Sequence, residues 1–70
     1  MTSDELIERL RKAPFQPFEV HLNNGSSFRI SHPDQAMVYP HGESLFAVVG
    51  KKVEQISLIN IAHISSEALL

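Results

Sequence analysis

The sequence predicts a mainly β fold of the α+β kind, with one N-terminal helix ahead of a five-stranded antiparallel small barrel. Three observations carry that expectation. Helical periodicity is confined to residues 2–13, and from Phe18 the apolar period switches to two. Turn-forming residues then cut the remainder into short segments, at Asn23-Asn24-Gly25, His32-Pro33-Asp34, Pro40-His41-Gly42 and Gly50-Lys51-Lys52. Finally, the chain has 70 residues and no cysteine, so it must be stable without disulfides. A domain near that size buries only about 60% of the surface its unfolded chain exposes. A barrel hides most strand edges, and association with a partner or with copies of itself hides others.

The helix is marked at both ends. Thr2 with Glu5 three residues later forms a capping box, in which the hydroxyl accepts an amide and the carboxylate reaches back. Asp4 and Glu5 in the first turn and Arg11 and Lys12 in the last suit the helix dipole. Leu6, Ile7 and Leu10 make one narrow apolar stripe, and Pro14 disfavours helical geometry at Ala13. Three turns alone are marginal in water, so the stripe must dock. Residues 14–17 are a stiff connector, because Pro14 and Pro17 favour an extended chain and remove two amide donors. Phe15 and Phe18 are expected to pin the helix to the body; the sharper alternative is an exposed aromatic ligand for a partner protein.

In the first strand Phe18, Val20 and Leu22 point one way and Glu19, His21 and Asn23 the other. Phe28 and Ile30 resume the alternation after the turn. A two-residue loop at Asn24-Gly25 would set Val20 opposite Arg29 and place a charge on the apolar face. A three-residue loop over residues 23–25 pairs Leu22 with Ser26, Val20 with Phe28 and Phe18 with Ile30, and it ends on a glycine that can adopt positive φ. The three-residue loop is therefore predicted. Short strands follow at Ala36–Tyr39, Leu45–Val49 and Val53–Leu58, then a helical turn near Leu58–Asn60 and a last strand over Ile61–Ser65. These segments fit an SH3-like barrel whose open end the helix caps. The chain is read as a single domain, residues 1–70, with the helix at 2–13, the connector at 14–17, the barrel at 18–65 and a tail at 66–70 that frays or extends the last strand.

Two family resemblances sit on these residues. Pro14-Phe15-Gln16-Pro17-Phe18, the alternating Val20 and Leu22, Gly25 and the pair His32-Pro33 together resemble a family of small bacterial proteins with no assigned function. That likeness covers nearly the whole chain. Leu22-Asn23-Asn24-Gly25 and Asp34-Gln35-Ala36-Met37 are also similar to Sm-like proteins, five-stranded barrels that join edge to edge in rings and bind RNA. The chain departs from that pattern where RNA is contacted. Val38 stands in place of the family's nucleotide-contacting Asn, and no Arg-Gly or Lys-His pair precedes the last strand, the nearest candidates being Asn60 and His63. The second likeness therefore implies the barrel more than the RNA.

Composition excludes several function classes. Six Lys and Arg against eight Asp and Glu give a net charge of −2, which argues against nucleic-acid binding by bulk charge. Without cysteine there is no thiolate nucleophile and no Cys-ligated metal. No apolar run approaches the roughly 20 residues of a membrane span, and the polar, acidic start is unlike a signal peptide, so no membrane partner and a cytoplasmic location are expected. His21, His32, His41 and His63 lack ligand spacing and read as separate surface residues. The serines lie outside any nucleophile-elbow pattern, Asp34 and Glu43 read as turn formers, and Gly25, Gly42 and Gly50 are isolated rather than a phosphate loop. No catalytic, cofactor or metal residue is assigned, and an enzyme is not expected.

What remains is a surplus of apolar residues over the needs of one sheet face, in Leu45–Val49 and Ile56–Ile64. It fits a helix-covered outer face, or an interface in which an edge strand pairs with another copy. The interface candidates are Leu45, Ala47, Val49, Ile59 and Ile61. The expected function is a non-enzymatic, regulatory interaction or self-assembly module, as a homo-oligomer or with a protein partner. The alternative is an RNA-binding Sm-like module using His32, Asp34, Tyr39 and His63, with Tyr39 as the stacking residue.

Overall fold

A computed structural model describes residues 1–41 and 43–66. The predicted helix is α1 (Ser3–Arg11), followed by β1 (Phe18–Leu22), β2 (Ser27–Ile30), β3 (Ala36–Tyr39), β4 (Ser44–Val49), β5 (Lys52–Ser57) and β6 (Ile61–Ser66). Single 3₁₀ turns at Pro33–Gln35 and Leu58–Asn60 separate β2 from β3 and β5 from β6. The mainly β class with one N-terminal helix holds. Among the described residues no closed barrel is found: six strands, one for each strand segment marked in the sequence, form two three-stranded antiparallel sheets, in the orders β2-β1-β6 and β3-β4-β5. The reason lies in the two 3₁₀ turns. Each breaks the extended conformation where a barrel strand would bend and continue, so strand pairing gives way at both seams to isolated hydrogen bonds. The last strand runs one residue further than predicted, to Ser66, and the rest of the predicted tail, residues 67–70, lies outside the described residues.

Thr2 caps α1, accepting the Glu5 N–H at 3.3 Å. The helix stops two residues short of its expected end, because Lys12 is already extended with ψ 135°. Proline therefore acts on a segment that has left the helix, and the Ala13–Pro14 bond is cis. The docked side chain is Leu6, which is fully buried, with Met1 and Leu10 packed against the core beside it. Phe18 is also fully buried, and the half-buried Phe15 lies 6.1 Å away, ring centre to ring centre, so the aromatic pair pins the connector. Arg9 spans the same region: its guanidinium lies 6.0 Å over the Phe18 ring and donates to Ser66 Oγ on β6.

The first hairpin has the predicted register. Phe18 faces Ile30 and Val20 faces Phe28, the Leu22 N–H donates to the Ser26 carbonyl at 2.8 Å, and Gly25 takes φ +91°. Both sheets turn apolar faces inward on one core of Leu6, Phe18, Val20, Ile30, Leu45, Ala47, Leu58 and Ile61. Burying a Leu, Val, Ile or Phe side chain stabilises by about 1.5–3 kcal/mol, so these residues dominate the fold.

Polar side chains hold the seams. Gln35 accepts from the Ser31 N–H at 2.8 Å and donates through Nε2 to the carbonyls of Arg29 and Val48, each at 2.8 Å. One amide thus ties β2 in the first sheet to β4 in the second. At the other seam the Asn23 side chain donates to the Ile59 carbonyl at 3.0 Å, and the Asn23 N–H donates to the Asn60 carbonyl at 2.9 Å. The Leu58 N–H donates to the carbonyl of Glu43 at 2.9 Å; Glu43 itself holds φ +47°, uncommon for a residue with a side chain.

Candidate interaction site

Which residues of an apolar strand face the core is decided by parity. In β4, Leu45 and Ala47 point inward and are buried, so Phe46 and Val48 point outward. The register carries this alternation across the sheet. Met37 faces Phe46, which faces Gln55; Val48 faces Val53; Tyr39 faces Ser44, which faces Ser57. The outer face of β3-β4-β5 is therefore mostly apolar. Met37 is 58% exposed, Tyr39 49%, Val48 43% and Val53 70%, with Phe46 half-buried among them. A contiguous exposed apolar patch of this kind marks an interaction surface more often than scattered apolar residues do.

The face ends on an edge. Among the described residues β5 pairs only with β4, and five of its six residues are exposed. It leaves the β4-β5 hairpin through the loop Gly50-Lys51, where positive φ at Gly50 (+65°) fits a tight two-residue connection. Val49 and Lys52 close that loop as a hydrogen-bonded pair, so the next outward-directed N–H and C=O groups belong to Val53. Lys52 and Glu54 flank it with opposite charges on the other side of the strand.

The opposite sheet is polar outside. Glu19, His21, Arg29, His63 and Ser65 share its outer surface, with His21 opposite His63 and Glu19 opposite both Arg29 and Ser65. The two imidazoles stack at 4.3 Å between ring centres, 9° from parallel. His21 Nε2 lies 2.8 Å from Ser65 Oγ and 3.7 Å from Glu19 Oε2. Parallel stacked rings do not aim their nitrogens at one point, and no three His, Asp or Glu among the described residues converge on a metal position.

The expected interface residues are only partly on the surface. Leu45, Ala47 and Ile61 are buried in the chain's own core, because strand parity turns them inward. Val49 packs at the core margin, and Ile59 is 74% exposed on the 3₁₀ turn after β5. Met37, Phe46, Val48 and Val53 were not among the expected residues. Phe46 and Val48 lie in the five-residue apolar run, but the run alone does not say which parity faces out, and Met37 and Val53 lie outside it.

The RNA candidates do not form one surface. His32 and Asp34 are exposed at the turn before β3; Tyr39 stands at the far end of β3, about 10 Å of strand away, with His41 edge-on at 6.1 Å. His63 belongs to the other sheet and lies face to face with His21. Nor do the helix cations make a basic patch: Arg9, Arg11 and Lys12 share a shallow groove with Asp4, Glu5 and Glu8. Among the described residues no helix is long and apolar enough to cross a membrane. No family model, curated protein or solved structure matches the chain.

Proposed function

We propose that this chain is a non-enzymatic, cytoplasmic interaction module that assembles with copies of itself through the outer face and free edge of β3-β4-β5. The observation that carries the reading is the outward apolar set of exposed Met37, Val48 and Val53 around half-buried Phe46, ending on an edge strand whose outward backbone groups lack a strand partner among the described residues. Covering that face removes apolar area from water at about 25 cal/mol per Å², and pairing the edge satisfies groups that otherwise template aggregation. A small chain without disulfides has most to gain from such burial. The two sheets belong to the same proposal as halves of a small SH3-like barrel, held across their seams by Gln35 and Asn23.

Size-exclusion chromatography with light scattering, at two protein concentrations and at low and high salt, tests the reading. A discrete oligomer whose population grows with concentration supports it. A monomer under every condition overturns it; a monomer that binds single-stranded RNA with a steep salt dependence would support the RNA reading instead.

A further inference from the structure

We propose that the occupant of the β5 edge is the β5 strand of a second copy, antiparallel and centred on Val53. The inference rests on the self-assembly reading and specifies its geometry. Two identical antiparallel strands related by a two-fold axis keep the same face up, so residues opposite each other have the same parity. Only a few registers then overlap within Lys52–Ser57.

Centred on Gln55, the strands set Glu54 against Ile56 of the second copy and Val53 against Ser57. Centred on Glu54, they set Glu54 against Glu54, a like-charge pair directly opposite, and Val53 against Gln55. Centred on Val53, they set Lys52 against Glu54 twice, and Val53 against Val53. Opposite charges facing each other across antiparallel strands stabilise and like charges destabilise. A fourth register, centred on Ile56, sets against itself a residue that packs on the chain's own core, which leaves the Val53 register as the one that matches exposed residues on both faces.

The backbone and the outer face agree with it. The N–H and C=O of Val53 point away from β4, so two copies exchange both hydrogen bonds on the axis. On the outer face Val48 already faces Val53. The dimer continues that row as Val48, Val53, Val53 and Val48, so the edge pairing buries the strand edge and brings the two Val53 side chains together, while the rest of the joined apolar face is covered by a second such dimer packing face to face.

The chain has no cysteine, so single-cysteine variants report the register without background. Val53→Cys, Glu54→Cys and Gln55→Cys are oxidised mildly in the otherwise intact chain, and the fraction of disulfide-linked dimer is compared. A Cα separation of about 5.5 Å at a hydrogen-bonded pair lies within disulfide range, so Val53→Cys is expected to cross-link fastest and most completely. In parallel, Lys52→Glu and Glu54→Lys are each expected to weaken dimerisation about tenfold, and the double variant Lys52→Glu/Glu54→Lys to restore it. A monomeric parent chain overturns both this register and the self-assembly reading. A parent that self-associates but cross-links best at position 54 or 55, or is not restored by the charge exchange, overturns the register alone.

Discussion

The two sheets of this molecule are built alike and finished differently. Each has three antiparallel strands, and each turns buried residues inward: Phe18, Val20 and Ile30 from one, Leu45 and Ala47 from the other. On the outside, the β2-β1-β6 sheet carries Glu19, His21, Arg29, His63 and Ser65, while the β3-β4-β5 sheet carries Met37, Phe46, Val48 and Val53. The inner faces are fixed by the requirement to share one core, which any sequence with this fold must meet. The outer faces are under no such requirement. Their difference is therefore where a function would be legible: one outer face is polar, and the other is mostly apolar and is the one the proposed assembly would cover.

The sharpest way to break the comparison is to attack the half that the sheets share. Phe18→Ala should destabilise by about 3–5 kcal/mol and Leu45→Ala by about 2–5 kcal/mol, both read from urea unfolding followed by circular dichroism. A cheap Leu45→Ala would mean that the second sheet does not share the core. Gln35→Ala cuts the side-chain tie between the sheets and leaves the Arg29 and Val48 carbonyls and the Ser31 N–H to water. A loss of about 1–2 kcal/mol is expected, with the unfolding transition still single. Thr2→Ala removes the cap of α1, which holds Leu6 in the core, and should cost about 1 kcal/mol or less in the same assay.

The smallest stability effects belong to the outer faces, and there the comparison turns on association. Val48→Thr with Val53→Thr, and separately His21→Ser with His63→Ser, should each shift the stability of the monomer by no more than about 0.5 kcal/mol per site. Only the first pair should abolish self-association. Unfolding at a concentration where the chain is monomeric separates the two readouts.

Much of the fold was written locally. The hairpin register followed from keeping Arg29 off the apolar face, and the 3₁₀ turn at Leu58–Asn60 from the break in the apolar pattern at Asn60. The helix ends earlier than proline alone predicts, because proline constrains only its neighbour, whereas the chain already turns away at Lys12. Hydrophobic pattern specifies strands but not whether a ladder continues through a 3₁₀ turn, so it does not decide between a closed barrel and two sheets. The site was less legible. A run of five apolar residues does not say which parity is buried, so the pattern alone does not place Leu45 and Ala47 in the core and Val48 on the surface. The His21–His63 stack depends on the register between the first and last strands, more than 40 residues apart in the chain, and no local spacing encodes it. Gln35 gave no signal at all, since its partners lie in two different sheets.

The central claim is that the apolar outer face of β3-β4-β5 is an interface and the polar face of β2-β1-β6 is not. Sedimentation velocity over a concentration series tests it on three chains: the parent, Val48→Thr/Val53→Thr and His21→Ser/His63→Ser. A concentration-dependent oligomer is expected for the parent and for the histidine variant, with the valine variant monomeric throughout. A parent that sediments as a monomer at every concentration, or an oligomer lost equally from both variants, would contradict the claim.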